Sequence, residues 1–393
     1  MLYNDFKECK ISRLGFGLMR LPVNSDGSID IIETEKMIDY AIKHGINYFD
    51  TAWPYHGGMS EVVCSRILNK YERSSYFLAT KFPGHQIISN MNVKEIFEEQ
   101  LKKCNTSYFD FYLLHNVYEG SIDRYLDENL NIIPYLIEQK KKGRIKHLGF
   151  SSHGDLDVIK RILKAYPNEL EFCQLQINYV DWTLQKAKEK YEYITSLGLS
   201  VIVMETVRGG KLANLDGNVY NELKSRRKDE SIASWALRFI LRLENVKVML
   251  SGMSNFNQMV DNIKTLENDK PLTDEEFNFL INIGKELSKG VPCTACRYCT
   301  QGCPKGLDIP RLISFYNDLK YQKNIINVSM KIEVLEKDKQ PSACINCKRC
   351  TLICPQKIDI PKYMNLLSQE LEKMPKWIDV CKQREEANKK IKY

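Results

Sequence analysis

The sequence predicts an α/β chain, a parallel (β/α)8 barrel followed by a small helical module rich in cysteine. Three observations carry this. Short apolar runs alternate eight times with amphipathic segments. Three successive runs each end in an ionisable residue. Eight of the 13 cysteines stand in two tight groups near the C-terminus. Parallel strands joined by helices close into a barrel whose strand ends all open on one face, where catalytic side chains collect.

The first strand and turn fall at Leu14-Gly15-Phe16-Gly17-Leu18-Met19-Arg20-Leu21-Pro22. Glu33–His44 reads as an amphipathic helix, with Met37, Ile38, Ala41 and Ile42 on one face and Gly45 closing it. Further strands are expected near 46–50, 76–81, 109–115, 146–151, 173–179, 200–206 and 246–251. The intervening helices are expected near 60–70, 93–104, 131–142, 155–165, 183–197, 231–242 and 256–266. Thr273-Asp274-Glu275-Glu276 is a capping-box pattern that opens one more helix, to about Leu287. Gly290-Val291-Pro292 then breaks the chain. The expected division is a barrel over 1–288, a cysteine module over 289–375 and a charged tail over 376–393. The stretch Lys382–Lys392 mixes both signs and reads as a solvated helix.

Asp50, Lys81 and His115 stand at the ends of three consecutive expected strands, and Tyr55 follows Asp50 after a Pro-stiffened turn. Singly, each has an ordinary explanation: a turn aspartate, a solvated lysine, a core histidine, a packed tyrosine. Together they compose a device. A free tyrosine has a pKa of about 10, and a nearby ammonium lowers it by stabilising the phenolate. Asp50 would hold Lys81, and His115 would hydrogen-bond the same substrate oxygen. Tyr55 is then a general acid for a carbonyl oxygen.

Asp50-Thr51-Ala52 with Tyr55 and Ser60-Glu61, then Thr80-Lys81, then Leu113-Leu114-His115 resemble the catalytic signature of the aldo-keto reductase family. The resemblance implies a TIM barrel, with Asp50, Tyr55, Lys81 and His115 as the catalytic tetrad. It implies NADPH or NADH as cofactor and a small carbonyl or alcohol substrate. It assigns Ser151 and Gln174 to the nicotinamide carboxamide, and Met204 to the place where many members stack a tyrosine on the ring. Arg208 and Gly209, in Arg208-Gly209-Gly210-Lys211, suit the pyrophosphate. Gly252, Ser254, Gln258 and Asn262 occupy the adenosine-phosphate region. Ser152 stands where the family often has asparagine. Many NADPH-preferring members carry Lys and Arg where this chain has Gly252 and Gln258, and both nicotinamides stay open. The long loop Asn116–Asn129 shapes a substrate pocket in this reading, with Trp53, Asn116 and Tyr118 as lining candidates.

Cys293-x2-Cys296-x2-Cys299-x3-Cys303-Pro304 and Cys344-x2-Cys347-x2-Cys350-x3-Cys354-Pro355 each match the bacterial run for a [4Fe–4S] cluster, in which the fourth cysteine ligates the other cluster. Zinc wants four ligands in two pairs, and two complete runs ending Cys-Pro fit it poorly. Gly306-Leu307-Asp308-Ile309-Pro310 recurs as Lys357-Ile358-Asp359-Ile360-Pro361, so the module is an internal duplication. Helices are expected at Ile309–Lys323, Ile325–Glu336 and Ile360–Glu372. The module resembles the α-helical two-cluster ferredoxin domain of some aldo-keto reductases. The remaining cysteines, Cys9, Cys64, Cys104, Cys173 and Cys381, read as plain thiols.

Lys+Arg is 57 against Asp+Glu 50, a formal +7 over 393 residues. That suits phosphate-bearing ligands, and no basic block points to nucleic acid. Met1–Arg13 lacks the apolar core of a signal peptide. No apolar run approaches membrane-crossing length. The expectation is a cytoplasmic NAD(P)H-dependent carbonyl reductase with two [4Fe–4S] clusters and a flavoprotein or other redox partner. The alternative is an iron–sulfur electron-transfer protein whose barrel is a docking or sensing scaffold.

Overall fold

The computed structural model describes residues 1–86, 92–215, 217–267, 270–288, 290–291, 293, 298–322, 325–354 and 358–389. Two compact units emerge. One comprises Met1–Gly284 with Arg384–Tyr393, the other Lys285–Gln383.

The first unit is a closed barrel of eight parallel strands: β3 (Leu14–Gly17), β4 (Tyr48–Asp50), β5 (Phe77–Phe82), β6 (Phe109–Leu114), β7 (Ile145–Ser152), β8 (Phe172–Gln176), β9 (Ser200–Met204) and β10 (Val246–Ser251). Each pairs with its successor, and β10 closes on β3. Nearly every strand residue is buried, which is why the strands read as unbroken apolar runs rather than alternating ones. The helices are amphipathic and lie between strands. Leu156–Ala165, for example, buries Val158, Ile159, Ile162 and Leu163, an i, i+1, i+4, i+5 stripe. The capping box at Thr273 forms in full. Glu276 N donates to Thr273 Oγ1 at 3.1 Å, and Thr273 N donates to Glu276 Oε2 at 2.9 Å.

An antiparallel hairpin, β1 (Tyr3–Phe6) and β2 (Cys9–Ser12), precedes the barrel. Phe6 and Ile11 join the barrel's interior cluster with Tyr48, Phe111 and Phe172, and Phe6 meets Phe111 edge-on at 5.2 Å. The hairpin thus closes the end where the strands begin. Burying one such phenylalanine stabilises the fold by about 1.5–3 kcal/mol.

The second unit is helical: Ile309–Gln322, Ile325–Glu333 and Ile360–Glu372 surround a core of Leu307, Ile309, Leu312, Val328, Met364 and Leu367. Val291 is tied in by Asn317, whose Oδ1 accepts from Val291 N at 2.8 Å. The helix Trp377–Lys389 gives its residues up to Gln383 to this unit and the rest to the barrel unit. Of the stretch expected to be a solvated helix, residues 382–389 are exposed or half-buried, and Asn388 Oδ1 accepts from Lys103 Nζ at 3.1 Å.

Candidate active site

The register sets the site. Asp50 ends β4 opposite Ala79, and Lys81 lies opposite Leu113, two residues before His115. Lys81 Nζ donates to Asp50 Oδ1 at 2.5 Å, to the Thr51 carbonyl at 2.7 Å and to Tyr55 Oη at 3.3 Å. Lys81 is 1% exposed and Asp50 3%. Tyr55 meets His115 edge-on at 5.8 Å between ring centroids. All four predicted residues therefore converge.

Burial, the largest influence on Lys81, favours its neutral form, yet Asp50 and Tyr55 outweigh it and its pKa is raised. Lys81 is a fixed cation. For Tyr55 the sequence-based expectation is corrected. Burial pushes the phenol up, Lys81 pulls it down, and Asp50 pushes up again, for a net rise. The ammonium limits the rise rather than producing a fall, because the same pocket that aligns the pair also desolvates the phenolate. Burial, then His85 and Lys81, hold His115 well below the usual histidine range, so its ring is neutral.

The backbone is strained where these groups sit. His56, Asn116, Glu205 and Arg208, none of them glycine, adopt positive φ of 52°, 53°, 59° and 51°. They follow β4, β6 and β9 on the face where the strands end. Such conformations cost about 1–3 kcal/mol each and persist where the surroundings over-determine them. After Tyr55, the positive φ of His56 continues through Gly57 (63°) and Gly58 (92°), and Leu21 N donates to His56 Nε2 at 3.1 Å. This turn fixes the tyrosine.

A buried polar network braces Lys81 from behind. Glu61, fully buried, accepts from Thr80 Oγ1 at 2.6 Å and Gln100 Nε2 at 2.7 Å. Gln100 also donates to the Lys81 carbonyl at 3.1 Å. Thr51 and Ser60 hydroxyls meet at 2.9 Å. Tyr125 links the two neighbouring strands, donating to the carbonyls of His115 at 2.7 Å and Phe82 at 3.1 Å. It lies on Ile122–Leu126, a short helix inside the long loop after β6. Of the pocket-lining candidates, Asn116 and Tyr118 are buried, and Trp53 carries Lys103 Nζ 3.9 Å above its ring.

Beside the tetrad, Gln174 Nε2 donates to Asp50 Oδ2 at 3.4 Å, and its Oε1 is buried without a hydrogen-bond partner. A primary amide with one orphaned acceptor fits the N–H of a nicotinamide carboxamide. Ser151 pairs with Gln174 across β7 and β8, and its Oγ accepts from Asn116 N at 2.7 Å. Met204 ends β9 partly exposed.

Arg208, expected at the pyrophosphate, is buried and paired with Asp181. Its Nε donates to Asp181 Oδ2 at 3.1 Å, with the fully buried Asp181 also accepting from Gln176 and Asn178 at 2.7 Å each. Asp181 is 27 residues away and opens the short helix Asp181–Leu184, and nothing in the sequence flags the pairing. The basic residue over Gly209 and Gly252 is Arg20. A Cβ at Gly209 would lie 3.4 Å from its guanidinium, and one at Gly252 would lie 3.3 Å from its stem. Arg20 also pairs with Glu205 at 3.4 Å. A basic residue just after a Gly-x-Gly first strand was the available signal.

Around the neighbouring helix start, Gln258 Oε1 accepts from Ser254 N at 2.7 Å, and Asn255 Oδ1 accepts from Gln258 N at 3.0 Å. Asn262 is buried and donates to Ser251 Oγ at 2.8 Å.

The family model for the aldo/keto reductase family matches residues 13–284. The chain belongs to the aldo/keto reductase family. A model for a 4Fe-4S dicluster domain matches residues 292–358. This aldo/keto reductase is 28% identical over 283 residues to L-galactose dehydrogenase of Arabidopsis thaliana, spanning 65% of this chain and 84% of that protein. It is 31% identical over 212 residues to D-arabinose 1-dehydrogenase of Saccharomyces cerevisiae, 48% of this chain and 61% of that one. Among solved structures, the holo form of an aldo-keto reductase from Bacillus halodurans is similar at TM-score 0.59 and 28% identity, covering 72% of this chain and 96% of that one.

In the reductase's second unit, Cys303 lines one recess together with Cys344, Cys347 and Cys350. The last cysteine of the first run thus faces the first three of the second. Cys299 is buried, and Cys293 and Cys354 pack against the same core. Cys296 lies outside the described residues. Among the described residues no helix is long and apolar enough to cross a membrane.

Proposed function

We propose that this aldo/keto reductase reduces an aldehyde or ketone with NADPH or NADH, Tyr55 delivering the proton. The observation that carries the reading is the position of Lys81 Nζ, 2.5 Å from Asp50 and 3.3 Å from Tyr55 Oη in a buried pocket. Bound nicotinamide supplies hydride to the carbonyl carbon. The protein's part is to bind, orient and protonate. Asp50 fixes the Lys81 ammonium. Lys81 stabilises the phenolate that Tyr55 becomes as its proton moves to the developing alkoxide. A phenol needs only to be a stronger acid than that alkoxide, so its raised pKa keeps the proton in store without blocking transfer. Neutral His115 contributes a hydrogen bond to the same oxygen. Gln174 and Ser151 orient the carboxamide. Arg20 supplies a cation beside the pyrophosphate over Gly209 and Gly252, in addition to the expected Arg208.

The eight cysteines of the two runs would hold two [4Fe–4S] clusters, which would supply electron transfer, redox sensing or structural support. The recess shared by Cys303 with Cys344, Cys347 and Cys350 suits one four-thiolate site.

Tyr55→Phe tests the reading. Carbonyl reduction should fall by about 10²–10⁴-fold while nicotinamide still binds, since only the acid's hydroxyl is lost. Near-normal turnover would remove Tyr55 from the chemistry.

A further inference from the structure

We propose that Glu8, Cys9 and His147 form a site for one divalent cation of the zinc class, at the end of the barrel opposite the tetrad. Cys9 Sγ lies 3.4 Å from His147 Nε2, and Glu8 Oε1 lies 3.5 Å from the same nitrogen. One ligand atom from each of the three falls within 4.8 Å of the others. With zinc–sulfur bonds of about 2.3 Å and zinc–nitrogen bonds of about 2.0–2.1 Å, tetrahedral ligand atoms sit about 3.4–3.6 Å apart. The thiol–imidazole and imidazole–carboxylate separations are already those of two tetrahedron edges. Glu8, an exposed side chain, closes the third by a small rotation. A water completes the four-ligand shell.

The imidazole is held in the orientation a ligand needs. His147 is 2% exposed, and its Nδ1 lies 2.7 Å from Glu171 Oε2. The carboxylate thus fixes the ring through the nitrogen that faces away from the cation, the outer-shell arrangement common to zinc histidines. Glu171 is itself fixed on its other oxygen by Lys7 at 2.7 Å and by Lys140.

The same groups also have the order of a thiol nucleophile, its base and an orienting acid. The electrostatics reject that use. Burial, then Glu8, Asp110 and Glu171, push the Cys9 thiol up to about 11, so an unassisted thiolate is scarce. The carboxylates that disfavour a lone thiolate favour a dication, and coordination displaces the thiol proton to solvent. The consequence is mechanical. Glu8 and Cys9 belong to the N-terminal hairpin and His147 to β7, so the cation staples the hairpin to the barrel.

The test uses the full chain with its clusters, prepared anaerobically, freed of loose metal and titrated with zinc chloride. One zinc per chain should be retained, and its X-ray absorption should report one sulfur among nitrogen and oxygen neighbours. The barrel's melting temperature should rise by about 5 °C. Cys9→Ala should abolish retention. Glu8→Gln, at an exposed position with no packing role, should weaken it by about tenfold or more, and keeps the test valid if Cys9→Ala folds poorly. A four-sulfur environment, retention unchanged in both variants, or no zinc bound by the native chain would each overturn the proposal. The last result would leave only a thiol–imidazole hydrogen bond.

Discussion

Replacing Lys81 by methionine separates the electrostatic role of the ammonium from the space it fills. The side chains are close in length, but methionine returns none of the three hydrogen bonds that Nζ makes to Asp50, Thr51 and Tyr55. Asp50, 3% exposed, would keep only Gln174 at 3.4 Å. Removing one partner of a buried ion pair costs about 3–5 kcal/mol, so the barrel should lose about that much in urea unfolding. For catalysis, Tyr55 loses the one cation that opposes its upward shift. The phenol becomes a weaker acid, and turnover should fall by about 10²–10⁴-fold. The alkaline limb of the pH–rate profile should move to higher pH, because the phenol's own pKa rises further. The assay follows nicotinamide absorbance with a panel of aldehydes and ketones, alongside nicotinamide binding by fluorescence. The double variant Asp50→Asn with Lys81→Met should regain most of the stability and none of the activity, since it removes the uncompensated charge without restoring the acid. Turnover within about tenfold of native, or an unmoved pH–rate profile, would refute the assignment of Lys81.

Three further outcomes follow from the candidate site and the cysteine module. Arg20→Gln should raise the KM for nicotinamide dinucleotide by about 10–100-fold, the loss of one or two charged hydrogen bonds, with kcat nearly unchanged; steady-state kinetics at saturating substrate would show it. Anaerobically prepared protein should contain about eight irons, from two cubanes, and Cys303→Ala should damage the cluster held by Cys344, Cys347 and Cys350 while sparing the other, as resolved by electron paramagnetic resonance.

The barrel was legible because its strands are buried on both faces and its helices on one, so apolar runs and amphipathic stripes alternate plainly along the chain. The clustering of Asp50, Tyr55, Lys81 and His115 was legible because a parallel barrel gathers strand ends, and three ends in succession carried ionisable groups. The N-terminal hairpin escaped notice because its strands are four residues each, with Asn4, Asp5 and Lys10 interrupting any pattern. The partner of Arg208 was hidden for another reason. The arginine's place in a Gly-rich loop suggested a ligand, and only folding brings the buried Asp181 against it. The pKa of Tyr55 shows the same limit: sequence reveals that an ammonium follows, but not how completely the pair leaves water. The short helix that delivers Tyr125 to the carbonyls of Phe82 and His115 lay in a segment with no periodicity to announce it.

The two halves of the proposed chemistry differ in electron count, and that difference constrains how they work together. Hydride carries two electrons, and with the proton from Tyr55 it completes the reduction of a carbonyl to an alcohol. On this proposal the barrel needs no electron from a cluster to turn over. A cubane passes one electron at a time, and a flavin is the usual converter between the regimes. The sequence carries no flavin motif. It follows that NADH or NADPH added anaerobically to the oxidised protein should leave both clusters oxidised while still reducing a carbonyl substrate. Cluster reduction should begin only when a flavoprotein able to accept hydride is supplied. Optical bleaching and the appearance of reduced-cluster resonances report the two states. Rapid cluster reduction by nicotinamide alone would show that a two-to-one-electron route exists within this chain, and would overturn the separation argued here.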